Sequence, residues 1–214
     1  HSFPTRRSSD CANIASMDAK TQKSEMTRTA IVGAGIDLAS AEGLEAITLQ
    51  AVADRIGLSK SGVFSRIGSR EALQKAVIEE YGRRFLADVF VPAMQQPKGL
   101  PRLDMIVQLW IVRMRDVEAK SGCIFSAGAF ELDDREGELR DMLYAEVTRW
   151  RSALRRTVMQ AVEAGHLQPD TDEDQLVSEV SSLALGMIHD VRFLRDTTSA
   201  ARAQASWARL LKSY

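Results

Sequence analysis

Cysteine, histidine and proline are all scarce in this chain. Of its 214 residues two are cysteine, Cys11 and Cys123, set far apart in unlike surroundings, which speaks against a disulfide framework and for a reducing cytoplasm. The three histidines, His1, His166 and His189, make no pair with each other or with a cysteine at ligand spacing, so no zinc site is expected. No apolar run approaches the roughly 18 to 20 residues that a membrane-spanning helix needs. Charge of neither sign is in excess: 28 Lys and Arg against 29 Asp and Glu leave a net −1, which alone signals no nucleic-acid partner. Also missing are a glycine-rich phosphate loop, a nucleophile with a plausible base and a metal constellation. The chain therefore reads as no enzyme and calls for no cofactor or metal. Strand alternation and internal repeats are absent too. What remains is 45% hydrophobic residues arranged at helical period, so the fold class is all-α.

One stretch carries a function. From Thr48 to Ile67 the chain reads TLQAVADRIGLSKSGVFSRI; counting from Leu49, the small Ala53 falls four positions on, Gly57 eight on and the β-branched Val63 fourteen on. This is the spacing of a helix-turn-helix. Ala53 suits the point where the second helix crosses the first. Gly57 suits a turn with φ > 0. Leu58 is expected to dip into the small core, Ser59 to act as N-cap, and Val63 to anchor the second helix against Val52 and Ile56. The face left over holds Lys60, Ser61, Gly62, Phe64, Ser65 and Arg66, short polar groups and cations of the kind a major groove accepts. From Arg28 to Arg70 the balance is five cations to four anions, and Lys60, Arg66 and Arg70 fall within eleven residues that hold no acid. That local patch suits phosphates.

The rest of the chain organises around this hairpin. Residues 1–26 are expected to be a disordered or cloning-derived tail, with HSFPTRRSSDCANIAS lacking periodicity and Met17 as a natural start. Helix one is expected from about Thr27 to Glu42, with Gly43 stopping it, followed by helices over Leu49–Ile56 and Lys60–Arg66. A longer helix from Arg70 to about Val89 reads as a connecting rod, with Ser69 as its N-cap. After a break at Pro92–Pro101 come helices over Leu103–Glu118, Cys123–Leu132, Gly137–Ala164, from Asp172, and over Ser199–Lys212. The acidic run Asp133, Asp134, Glu136 and Glu138 reads as a solvated loop, and Cys123 as structural.

The order of these parts resembles the TetR family of bacterial transcriptional repressors. The likeness is carried by Arg28 to Ile78, with EGLEAITLQAVADRIGLSKSGVFSRIGSREAL at its centre, and less specifically by GCIFSAGAFELDDREGELRDML. It implies a helix-turn-helix DNA-binding domain over 27–72, joined by a long helix to a helical ligand-binding and dimerisation domain over 73–214. It also implies a homodimer that binds double-stranded operator DNA and is released from it by an unidentified small-molecule effector. Carried over by position, the DNA-contacting set is Arg28, Thr48, Leu49, Ser59, Lys60, Ser61, Gly62, Phe64, Ser65, Arg66 and Arg70. Within it Thr48 would touch phosphate, and Arg70 would meet the DNA backbone from a helix N-terminus. Phe64 stands where tyrosine is usual and Arg66 where histidine is usual, so a hydroxyl contact is lost and a fixed charge gained.

Candidate pocket residues in the second domain are Met105, Leu109, Trp110, Met114, Phe125, Phe130, Met142, Trp150, Met187, His189 and Phe193. Aromatic and sulfur side chains line adaptable apolar cavities, and each is equally readable as ordinary core. The helices over Gly137–Ala164 and Asp172–Arg195 are expected to pair with their symmetry mates, with Leu183, Ala184, Gly186 and Met187 allowing close approach. The competing reading is a helical interaction module whose hairpin docks a protein partner and not DNA.

Overall fold

The computed structural model describes the backbone of residues 8–214 and the side chains from residue 21 onward. His1, the start of the expected tail and the Cys11 side chain lie outside that range. Nine helices follow one another among the described residues: α1 (Ser8–Glu42), α2 (Leu49–Ile56), α3 (Lys60–Ile67), α4 (Arg70–Phe85), α5 (Leu100–Arg113), α6 (Ile124–Glu131), α7 (Glu138–Glu163), α8 (Glu173–Arg192) and α9 (Ser199–Leu210). α4 runs on through a π turn (Leu86–Phe90) and a last turn (Val91–Ala93); α5 does the same through Met114–Glu118 and Ala119–Ser121. Among the described residues there is no strand.

Most helix ends fall where their caps stand in the sequence. Thr48, Ser59, Ser69 and Asp172 each accept a backbone N–H from three residues on, at 2.9 to 3.1 Å, and open α2, α3, α4 and α8. The start of α1 differs. Helix already runs from Ser8, within the stretch that the sequence suggests is a tail. Stretches such as DAKTQKSEM are rich in helix formers but polar all round, and pattern reading has no apolar stripe to detect there. The π turns are likewise illegible in sequence, because each is a one-residue slip of the hydrogen-bond ladder with no composition of its own.

Two cores result. The first joins the inner faces of α1, α2, α3 and the first half of α4, with Ile31, Leu38, Leu44, Ile47, Val52, Ala53, Val63, Leu73 and Val77 buried. It is completed by Ile124, Leu132 and Leu143 from α6, its following loop and α7. The second lies among the end of α4 and α5, α7, α8 and α9, around Phe85, Ile106, Trp150, Leu154, Val180 and Trp207. Phe125 of α6 packs against both. α1 and α4 cross closely at Gly35, where an added Cβ would stand 2.5 Å from Val77 Cγ2. Trp207 donates its indole N–H to Asp104 at 2.7 Å and so ties α9 to α5.

Candidate functional site

The hairpin is built by local rules. Gly57 closes α2 at φ 67°, ψ 31°, a left-handed conformation that a side chain would strain. Val52, Ala53 and Val63 are fully buried against α1. α3 therefore stands with Lys60, Ser61, Phe64, Ser65 and Arg66 exposed and Gly62 half-buried. Phe64 is 58% exposed, a large apolar group with no partner on the protein's own surface. The Ser59 hydroxyl accepts from Gly62 N at 3.0 Å and lies 3.1 Å from the Ser61 hydroxyl. Thr48 accepts from Ala51 N, which leaves its hydroxyl proton free to donate outward. Arg66 lies back on its own helix, donating to the Gly62 carbonyl at 3.0 Å and Ser65 Oγ at 3.3 Å.

Three expectations change here, those for Leu58, Leu49 and Arg70, and Arg28 is placed apart from the hairpin. Leu58 is 37% exposed and stays out of the core, because Leu58 N bonds back to the Ala53 carbonyl and turns the chain outward. Leu49 is buried within the first core, so its side chain offers nothing to DNA. Arg28 sits apart on α1, in a groove with Val32, Ala76, Glu79, Glu80 and Arg83. Arg70 does not reach outward. Its guanidinium donates to the Ile47 carbonyl at 2.9 Å and the Glu45 carbonyl at 2.6 Å, and pairs with the Glu45 carboxylate at 3.3 Å.

That turn before α2 is gripped from the other side as well. Glu131, at the end of α6, accepts the backbone N–H groups of Leu44 and Glu45, both at 2.8 Å. Gln74 donates to the Leu44 carbonyl at 2.9 Å, Arg135 pairs with Glu45 at 3.4 Å, and Lys75 of α4 pairs with Glu138 of α7. A Cβ on Gly128 would meet Leu44 Cδ1 at 2.8 Å and Leu143 Cδ2 at 2.9 Å, so α6 presses directly on the turn.

The opposite face of α6 lines a cavity of about 150 Å³. Its walls include Phe85, Trp110, Met114, Phe125 and Trp150, with Glu118 and Cys123 among them and Arg151 and Leu185 on the α7 and α8 walls. The rings are mutually edge-to-face: Phe85 to Trp150 at 4.7 Å, Trp110 to Trp150 at 4.9 Å, Phe85 to Phe125 at 6.1 Å. Of the expected pocket residues the structure brings together Trp110, Met114, Phe125 and Trp150. Met105, Leu109 and Met187 pack in the second core away from the cavity, and Met142 against the first. Phe130 and Phe193 are 71% and 77% exposed, and His189 faces outward beside Asp190 at 3.2 Å. Sequence reading missed Phe85, Glu118 and Ser181. An acid just ahead of an apolar segment is the one signal that could have flagged Glu118.

A protein-family model described as tetracyclin repressor-like, C-terminal domain, matches residues 99–207. The chain belongs to the tetracyclin repressor-like (TetR) family. Solved TetR-family structures share the fold over most of this one. A TetR-family transcriptional regulator from Cytophaga hutchinsonii superposes with a TM-score of 0.75 at 19% identity, covering 89% of this chain and 96% of that one. For SCO4454 from Streptomyces coelicolor the figures are 0.76 and 13%, over 92% and 94%. AibR, solved in complex with isovaleryl coenzyme A and operator DNA, gives 0.63 and 20%, over 75% and 85%. No curated protein matches by sequence.

In this TetR-family chain Cys123 is poor material for a sensor. Burial pushes its thiol up to about 11, and it accepts from Ser126 Oγ at 3.4 Å. Among the described residues no group of acids, histidines and cysteines could hold a metal, and no helix is long and apolar enough to cross a membrane. Along α8, Leu185 at the edge of the cavity and Gly186, His189 and Phe193 beyond it are exposed, and Tyr144 is exposed on α7. Leu183, Ala184 and Met187 turn inward, so of the expected close-approach residues only Gly186 lies on the open face.

Proposed function

We propose that this TetR-family regulator represses transcription as a cytoplasmic homodimer. Each α3 reads a half-site of operator DNA through Lys60, Ser61, Phe64, Ser65 and Arg66, with the Thr48 and Ser59 hydroxyls at the backbone. The exposed stripe of α8 with Tyr144 of α7 supplies the subunit contact, since exposed apolar side chains beside a glycine on a long helix suit a two-fold helical interface. The chain carries no catalytic role. A small molecule in the cavity displaces α6 and thereby the turn before α2, changing how α3 is presented.

The observation that carries this reading is the position of α6: Phe125, Ser126 and Ala129 line the cavity while Gly128 and Glu131 grip the turn. A ligand can shift DNA affinity only through such differential contacts. AibR, of the same fold, has been captured with both a ligand and operator DNA, which supports a two-site device here. Selection of bound duplexes from a random pool tests the reading. A recovered palindrome with half-sites about one helical turn apart is expected. No enrichment over the input pool would overturn it.

A further inference from the structure

The cavity is mostly apolar, and two unpartnered polar groups among its lining residues specify its occupant. Among its lining residues, the Ser126 hydroxyl donates to Cys123 Sγ and the Ser181 hydroxyl to the Val177 carbonyl, so both are satisfied. Arg151 is exposed to water. Two buried polar atoms that belong to lining residues have no partner in the protein: Glu118 Oε2 and Trp150 Nε1. Glu118 is only 1% exposed, and Trp150 is buried in the same lining.

Glu118 is also held in place. Its other oxygen, Oε1, accepts the Tyr81 hydroxyl at 2.7 Å and Arg113 Nε at 3.1 Å, and its carbonyl accepts from Arg192 at 3.2 Å. Arg113 in turn pairs with Asp88 and lies over the Tyr81 and Phe85 rings. Burial pushes the Tyr81 hydroxyl well above its usual range, so it stays a donor to Glu118. The guanidinium thus answers two carboxylates, and the second oxygen of Glu118 is left open. A buried acceptor and a buried N–H without partners in an otherwise paired site are costly and are stabilised by whatever pairs them.

We propose that the effector is a small aromatic compound, about one ring in size, whose polar group donates a hydrogen bond to Glu118 and accepts one from Trp150. Phenol is its simplest member. The proposal rests on the reading of this cavity as the effector site. A cavity of about 150 Å³ encloses roughly one benzene-sized ring. The edge-to-face wall of Phe85, Trp110, Phe125 and Trp150 suits a flat ring better than an aliphatic chain. A carboxylate at this position is disfavoured by Glu118 itself, since a ligand that offers only acceptor oxygens there supplies no donor for Glu118 Oε2.

Titration calorimetry of the full chain with phenol, anisole, toluene and benzoate tests this. The expected order is phenol, then anisole, then toluene, each step weaker by about tenfold as first the donor and then the acceptor is lost, with benzoate not binding. In Trp150→Phe, which keeps a ring in the cluster, the gap between anisole and toluene closes; in Glu118→Gln the gap between phenol and anisole narrows. Toluene or benzoate binding as tightly as phenol overturns the assignment, as does failure of all four to bind. The ligand-free chain is assayed in parallel on the selected duplex. DNA binding there with a wrong ligand order sinks the effector class alone, whereas no DNA binding sinks the regulator reading.

Discussion

The α2–α3 hairpin and the cavity beside α6 are held by different kinds of constraint. In the hairpin each device acts over a few residues: the Thr48 and Ser59 hydroxyls cap the helix that follows, and Gly57 turns the chain between them. The cavity has no local device. Its walls come from α4, α5, α6, α7 and α8, and its aromatic cluster joins Phe85, Trp110, Phe125 and Trp150 from four of these helices. Short-range rules therefore make a reading head that can vary its exposed side chains freely. Long-range packing makes a cavity in which most substitutions are felt by the whole domain.

The largest effects should come from the cavity side. Phe85→Ala removes a buried ring at the meeting point of the aromatic cluster and should cost about 3–5 kcal/mol in denaturant unfolding. A loss under about 1 kcal/mol would show that the cluster repacks and that the cavity wall is soft, not close-packed. Next, Gly35→Ala drives a methyl into the buried Val77 at the α1–α4 crossing and should destabilise by about 1–3 kcal/mol, despite the gain in helix propensity. An unchanged denaturation midpoint would mean that the two helices part at little cost.

Two substitutions separate the reading head from its anchors. Arg70→Ala should lower stability by about 1–2 kcal/mol while leaving the salt slope of DNA binding unchanged, because its guanidinium is spent on the Glu45 and Ile47 carbonyls. A slope reduced by about 1 would restore it as a phosphate contact. Glu131→Ala should uncouple the two regions at a cost of about 1–2 kcal/mol, with operator affinity losing its response to effector. Release of DNA by effector at the wild-type concentration would break that link.

The smallest effect concerns pH. Arg83 and then Arg84 hold the Glu80 carboxyl down to about 2, against some opposing desolvation. A lowered folded-state value means the stabilisation is present above the unfolded value near 4.5 and is lost as pH falls through about 2. Arg83 is exposed and Arg84 partly so, and Glu80→Gln should therefore cost no more than about 1 kcal/mol at pH 7, with the difference in unfolding free energy vanishing toward pH 2.

Legibility in the sequence follows the same division. Ala53, Gly57, Ser59 and Val63 can be placed from the sequence alone because each has a steric or capping reason tied to its neighbours. Leu58 and Arg70 belong to the same stretch and yet end up elsewhere than expected. An apolar residue beside a turn, or a cation at a helix start, has more than one destination, and the choice depends on what stands across the fold. In the cavity four of eleven expected residues arrive, since a helix with apolar residues on more than one face does not say which of them a neighbour will cover. Phe130 and Phe193 are unreadable for that reason.

By itself the sequence determined an all-helical chain, the caps, and a helix-turn-helix with a polar, cationic outer face, because those features depend on residues within one or two turns of each other. Tertiary structure alone decided that Glu131 clasps the turn before α2, that Arg70 folds back onto the Glu45 and Ile47 carbonyls, and that Glu118 and Trp150 line one cavity. Partners 23 to 87 residues apart along the chain are joined in those contacts, and no local pattern encodes which of many polar groups will find each other once the helices pack.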